Sequence, residues 1–172
     1  SGQLKQVSMS AGQAAGTIAA YCAFFKTTTK NVNVRVVQGE LFAFDAELIP
    51  LEDISRDDPN FLAFQRMAVS GLLKPSFSEE EGKSTLKFDT AGVITAGELR
   101  TSMRGFYSRS QIWFADNQKD TLTIGDTISL LMFTATRGEE LKKEIEAGWK
   151  ESFKFNTPFD PERQITRKEF II

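Results

Sequence analysis

The sequence predicts a mainly α protein: a helical bundle built from capped-helix repeats, with a separate apolar helical segment ahead of it. Three observations predict this. Phe88-Asp89-x-x-x-x-Ile94-Thr95-x-x-Glu98-Leu99 returns as Phe159-Asp160-x-x-x-x-Ile165-Thr166-x-x-Glu169-Phe170, and Leu122-Thr123-x-x-Asp126 is a degenerate third copy. Ahead of them, Thr17 to Phe25 is apolar almost throughout, and Asp57-Asp58-Pro59 sets up another helix start.

Composition bounds the function. In 172 residues, 41% are hydrophobic and 26% charged, and 15 Phe give a sizeable core, so the chain is globular in character. The 21 basic and 23 acidic residues leave a net charge of −2 without a long basic run, which argues against nucleic acid as the main partner. There is no histidine, which excludes Ser-His-Asp and Cys-His catalysis and His-ligated metals within this chain. The single cysteine, Cys22, excludes an internal disulfide framework and a Cys-based zinc site, and its apolar setting predicts a buried, inert thiol. No metal-ligand set, signal peptide or membrane span is visible.

Taken in order, the first helix is expected from about Gly12 to Lys26, ending in the polar run Thr27 to Asn31. Asn31 to Val37 alternates like a strand, whereas Val37, Leu41 and Phe44 fit a helix, and the helix is preferred. A domain boundary falls near Ala46 to Asp53, where Pro50 interrupts regular structure, giving domains 1–48 and 49–172. The next helix takes an Asp as N-cap with Pro59 in its first turn, carries Phe61, Leu62, Phe64, Met67, Ala68 and Leu72, and stops near Gly71. Ser76 to Ser84, with Glu79-Glu80-Glu81-Gly82-Lys83, reads as an exposed loop.

The repeat then supplies three helix starts. In each copy Thr caps the helix, the acid three residues on reaches back to the cap N–H, and the preceding Ile or Leu staples the turn. The helices are expected over Thr95 to Tyr107, Thr123 to Thr134, and Thr166 to the chain end. Between the last two lies a charged helix, roughly Gly138 to Phe153, with Leu141, Ile145 and Trp149 at four-residue spacing.

Two stretches carry resemblances. Val7-Ser8-Met9-Ser10-Ala11 followed by Gly12-Gln13-Ala14-Ala15-Gly16-Thr17-Ile18-Ala19-Ala20 resembles the last flavin-contacting segment of FAD-dependent oxidoreductases with the glutathione-reductase-like flavin fold. Val37-Gln38 and Leu41 fit a short helix that follows in that family. The resemblance implies a strand end, a Gly-Gln-Ala-Ala-Gly turn and a helix whose N-terminus faces the flavin, with Gly12, Gln13 and Ala14 binding FAD through backbone N–H groups. The family's Gly-x-Gly-x-x-Gly turn is absent from the chain. The expectation is therefore a C-terminal portion of a flavoenzyme: residues 1–48 are a helical remnant of an α/β flavin domain, the rest of that domain is the partner, FAD belongs to the parent, and the fragment alone binds none and is inactive.

The second resemblance is to the S-layer homology repeat, carried by Phe159-Asp160-Pro161-Glu162-Arg163-Gln164-Ile165-Thr166-Arg167-Lys168-Glu169-Phe170 and by the entry segment Leu51-Glu52-Asp53-Ile54. It implies a pseudo-threefold bundle in which the Arg of the Thr-Arg-x-Glu turn helps bind an anionic cell-wall polysaccharide. Arg167 holds that position, while Ala96 and Ile124 fill the other two. The alternative function is thus a non-enzymatic attachment module for a cell-surface glycan or a protein, with Arg167, Trp113 and Tyr107 as candidate ligand-binding residues. A cell-envelope or periplasmic location is compatible with it. The plainer reading of the same residues is that capping boxes start helices and aromatics pack a core. Finally, the apolar helix over residues 12–25 needs cover, and a homodimer through that helix is one way to supply it.

Overall fold

The computed structural model describes residues 2–80 and 83–172, which form two compact units, Ser1–Pro50 and Leu51–Ile172. Helix dominates both, and the described residues form one two-stranded sheet.

In the first unit, α1 (Gly2–Phe24) leads through a 3-10 turn (Thr29–Asn31) to α2 (Val34–Ala43). Asn33 starts α2 by accepting from the N–H groups of Arg35 (3.1 Å) and Val36 (3.4 Å) on its side-chain oxygen. The strand-like alternation of 31–37 thus yields to a capped helix. The inner faces meet in a small core of Val37, Leu41 and Ala46, against which Ala14, Ile18, Tyr21, Val32 and Leu48 pack. One expectation needs correcting: α1 begins at Gly2, so Val7 to Ala11 is helix, with no strand end or turn before Gly12. Without a Pro or a capping side chain at 11 or 12, nothing local stops the helix from extending back. Cys22 is half-buried, so the expected full burial of its thiol is not reached.

The second unit opens with Leu51 and Ile54 buried and a turn at Ser55 to Asn60. The Asp-Asp-Pro signal starts this turn and not the helix itself: Asp58 takes the Asn60 N–H at 2.8 Å, and α3 (Phe61–Ser70) follows with Asn60 at its N-cap position. Gly71 ends α3 in the left-handed region (φ 74°), as a C-capping glycine does. The expected loop is a hairpin, β1 (Ser76–Glu80) antiparallel to β2 (Lys83–Lys87), with Phe77 opposite Leu86 and the Ser78 and Thr85 hydroxyls 2.7 Å apart. Glu81 and Gly82 of that stretch lie outside the described residues. Alternation of Ser, Phe, Thr and Leu outweighed the charged composition.

The remaining helices are α4 (Ala96–Met103), α5 (Ser110–Asp116), α6 (Ile124–Ala135), α7 (Glu140–Glu151) and α8 (Arg167–Ile171). The expected Thr95–Tyr107 helix ends at Met103, and α5 was not foreseen. All three threonines are N-caps. Thr123 with Asp126 and Thr166 with Glu169 form complete capping boxes, whereas Thr95 accepts from the Glu98 N–H (3.2 Å) but its acid turns elsewhere.

The caps hold one another. The residue after each threonine donates its N–H to the carbonyl three residues before another threonine: Ala96 to Asp120 (2.9 Å), Ile124 to Arg163 (2.9 Å) and Arg167 to Gly92 (2.8 Å). Bridges Thr95 with Thr121, Thr123 with Gln164, and Val93 with Thr166 complete a closed cycle. Helix N-termini normally leave such N–H groups unpaired, and here they become the joints. At the centre, Ile94, Leu122 and Ile165 are 0%, 0% and 4% exposed, linked through Ile165 N–H to Leu122 (3.0 Å) and Ile94 N–H to Ile165 (3.4 Å). Around this centre α4 packs on α5, α5 on α6, α6 on α7 and α8 on α3.

Candidate binding groove

An open groove of about 670 Å³ lies along α5, α6 and α7 and suits a small ligand in size. Its floor is Trp113, Ile128, Met132 and Phe133; its rim carries Arg109, Arg137 and Lys142 against one acid, Glu139. Apolar spacing on α6 puts Ile128 in the core and Met132 and Phe133 half-exposed beside it. The Trp113 indole N–H donates to the Ser129 hydroxyl at 3.0 Å, fixing α5 on α6. Arg109 lies over the Phe133 ring, 5.0 Å from its centre, and donates to the Thr136 hydroxyl, so one side chain closes the groove's end by stacking and hydrogen bonding.

Arg137, at the α6–α7 turn, donates to Glu140 (3.2 Å) and to both oxygens of Glu144 (2.9 and 3.0 Å). These bonds raise the Arg137 guanidinium's pKa further above its usual value, first through Glu140 and then Glu144. The Glu140 carboxyl is held below its ordinary value by the Gly138 N–H, its own N–H and Arg137. Lys142 makes no ion pair among the described residues, which leaves it as the free cation of the rim. Both hydroxyls of the groove accept from within the protein, Ser129 from Trp113 and Thr136 from Arg109, which leaves each O–H able to donate. An apolar floor under a basic rim suits a ligand that combines an apolar body with negative charge. Among the described residues no group of three or more His, Cys, Asp or Glu side chains converges as a metal would require.

The residues singled out by sequence are scattered. Trp113 lies on the groove floor but is only 5% exposed, so it contributes an edge and a fixed wall. Tyr107 stands half-exposed on the corner between α4 and α5, and does not line the groove. Arg167 is inside the molecule: its Nε donates to the Phe88 carbonyl (2.6 Å), Nη1 to both Glu98 oxygens (2.8 and 2.7 Å) and Nη2 to the Lys74 carbonyl (3.3 Å). Glu98 is the acid missing from the Thr95 cap.

Gly12, Gln13 and Ala14 lie in the interior of α1, where backbone N–H groups bond to carbonyls four residues back. As folded here they offer no unpaired N–H to a flavin, and the segment does not fit FAD in this state. What they do present is space: nothing lies within 4 Å of where a Cβ would stand on Gly12 or Gly16.

Arg109, Arg137 and Lys142 had no local signal in the sequence, since only packing of α5, α6 and α7 gathers them. No described helix is long and apolar enough to cross a membrane. Comparison with protein-family models, curated proteins and solved structures finds no match to this chain.

Proposed function

We propose that the chain is the C-terminal portion of a FAD-dependent oxidoreductase, with the first unit belonging to the flavin domain and the second forming a non-catalytic accessory module. The observation that carries this reading is the outer face of α1. Ala14, Ile18 and Tyr21 pack on α2, while Ala11, Gly12, Ala15, Gly16, Ala19, Ala20 and Ala23 are exposed and uncharged. Such a face suits close cover by further protein, and its Gly-Gln-Ala-Ala-Gly sequence is the one that resembles a flavin-contacting segment. FAD, when bound, supplies the redox chemistry. The reading requires α1 to begin at Gly12 when the upstream domain is present, which frees the N–H groups of Gly12, Gln13 and Ala14 for the flavin. The test is the product of the whole gene, purified and scored for flavin absorbance. One flavin per chain, lost in a Gly12→Val variant and absent from residues 1–172 alone, supports the reading. A whole gene product that binds no flavin overturns it.

A second reading, an S-layer-homology-like attachment module, is favoured by the cyclic cap arrangement together with the basic-rimmed groove. In it the groove takes the anionic glycan, because Arg167 is committed to Glu98. Calorimetric titration with an acidic cell-wall polysaccharide decides it: binding that Lys142→Gln weakens supports this reading, and no heat change removes it.

A further inference from the structure

From Leu99 to Ala115 the chain carries Arg100, Arg104 and Arg109 and no acidic residue, in a protein whose net charge is −2. The same stretch holds three exposed apolar side chains, Phe106 (49%), Tyr107 (49%) and Ile112 (57%). The corner that bears them is firmly built. The N–H groups of Phe106 and Tyr107 both donate to the Met103 carbonyl (3.1 and 2.8 Å), and the Tyr107 carbonyl accepts from the Ser110 N–H (2.9 Å) and hydroxyl (2.7 Å). Ser110 is fully buried, and Met103, Trp113 and Phe114 form the underside. Arg100 is turned inward, donating to the Phe114 carbonyl at 3.2 Å, and Arg109 bears on Phe133. Arg104 is exposed and makes no ion pair among the described residues.

We propose that this corner docks on an anionic membrane surface, with Phe106, Tyr107 and Ile112 entering the boundary between headgroups and acyl chains and Arg104 lying at the lipid phosphates. Exposed apolar side chains beside an unpaired arginine, on a corner fixed by its own hydrogen bonds, match an interface that is apolar below and negative above. Ile112 favours lipid over a stacked base or sugar, since an aliphatic side chain has no ring face to stack. The inference is independent of the flavin and glycan readings. A single corner gives reversible, salt-sensitive attachment.

Co-sedimentation of the full chain with vesicles tests it, comparing phosphatidylcholine alone with mixtures containing phosphatidylglycerol. Binding is expected only to the anionic vesicles and to fall with salt. The variant F106S/Y107S/I112S is expected to weaken partitioning by about tenfold or more, and Arg104→Gln by about fivefold. Phe77→Ser, at an exposed position on the hairpin (64%), should leave it unchanged. No binding to anionic vesicles overturns the proposal. So does binding that the triple variant retains, which would reduce the effect to net charge, and so does a preference for heparin or single-stranded RNA without vesicle binding.

Discussion

Arg167 Nη1 meets both Glu98 oxygens at 2.8 and 2.7 Å, while Arg163 meets both oxygens of Glu169 at 2.6 and 3.0 Å. The two pairs differ in what the acid gives up. Glu169 still serves its own cap, taking the Thr166 N–H at 3.0 Å as well as the Thr157 hydroxyl at 2.7 Å. Glu98 leaves its cap to hold a residue of another copy, so the Thr-x-x-acid pattern was legible in sequence but the destination of its first carboxylate was not. Glu98→Ala should therefore destabilise the second unit by about 2 to 3 kcal/mol, since Arg167 loses its carboxylate in a buried setting. A double-mutant cycle with Arg167→Ala, read by urea melts, should give a coupling of about 1 to 3 kcal/mol; additive effects would show that the pair contributes nothing.

Glu169 also sets a pH dependence. Burial by itself would push its carboxyl up, but the Arg163 hydrogen bonds, the Thr166 N–H and the Thr157 and Thr166 hydroxyls outweigh that and hold it at about 2, against an ordinary 4.5. A depressed folded value means stability that is fully present above the unfolded pKa and lost as pH falls through the folded one. The loss should run from about pH 4.5 down toward about pH 2 and amount to roughly 3 kcal/mol. Asp126 adds in the same direction: burial raises it, and Lys119 and Thr123 together bring it below its ordinary value. In Glu169→Gln the acid-limb slope of stability against pH should flatten, and an unchanged slope would point to other carboxylates.

At the scale of elements, the helix starts were readable because a capping box is a local device: Thr and acid sit within one turn. Thr123→Ala and Thr166→Ala should each cost about 0.5 to 2 kcal/mol. Thr101→Ala should cost less, since Thr101 is exposed inside α4 and only back-bonds to the Gly97 carbonyl (2.9 Å). Equal losses at Thr101 and Thr123 in a denaturant series would remove capping as the explanation. The hairpin and α5 were missed for different reasons. Strand pairing at Phe77 and Leu86 is a contact between two short segments that neither announces alone, and Arg109 heads α5 without a side-chain cap bond. What no local reading could give is the cyclic closure, which depends on carbonyls at Gly92, Asp120 and Arg163 meeting N–H groups tens of residues away. The groove shares that fate, since Arg109 and Lys142 come from helices far apart in sequence.

At the scale of the whole molecule, the two units have very different means of standing alone. The second closes its own ring of caps around Ile94, Leu122 and Ile165 and buries Phe64, Phe88 and Phe114 completely. The first relies on a core of Val37, Leu41 and Ala46, while Met9 (69%), Phe24 (80%), Phe25 (56%), Val34 (62%) and Phe44 (73%) remain exposed. A segment of about 50 residues has little core to set against chain entropy, and exposed aromatics on that scale seek cover. Each Phe fully covered would add roughly 1.5 to 3 kcal/mol, large beside a typical domain stability of about 5 to 15 kcal/mol. Residues 51–172 alone should thus melt cooperatively at a temperature close to that of the second unit in the full chain. Residues 1–50 alone should show no cooperative melt. The full chain should associate through its first unit when no other cover is present, with the small-residue face of α1 over 12–25 allowing a second helix to approach closely. Light scattering on the full chain and on residues 51–172 reads this directly: association in the first and a monomer in the second is the expected pair. A full chain that stays monomeric, with solubility and stability equal to those of the truncated one, would show that the first unit needs no cover.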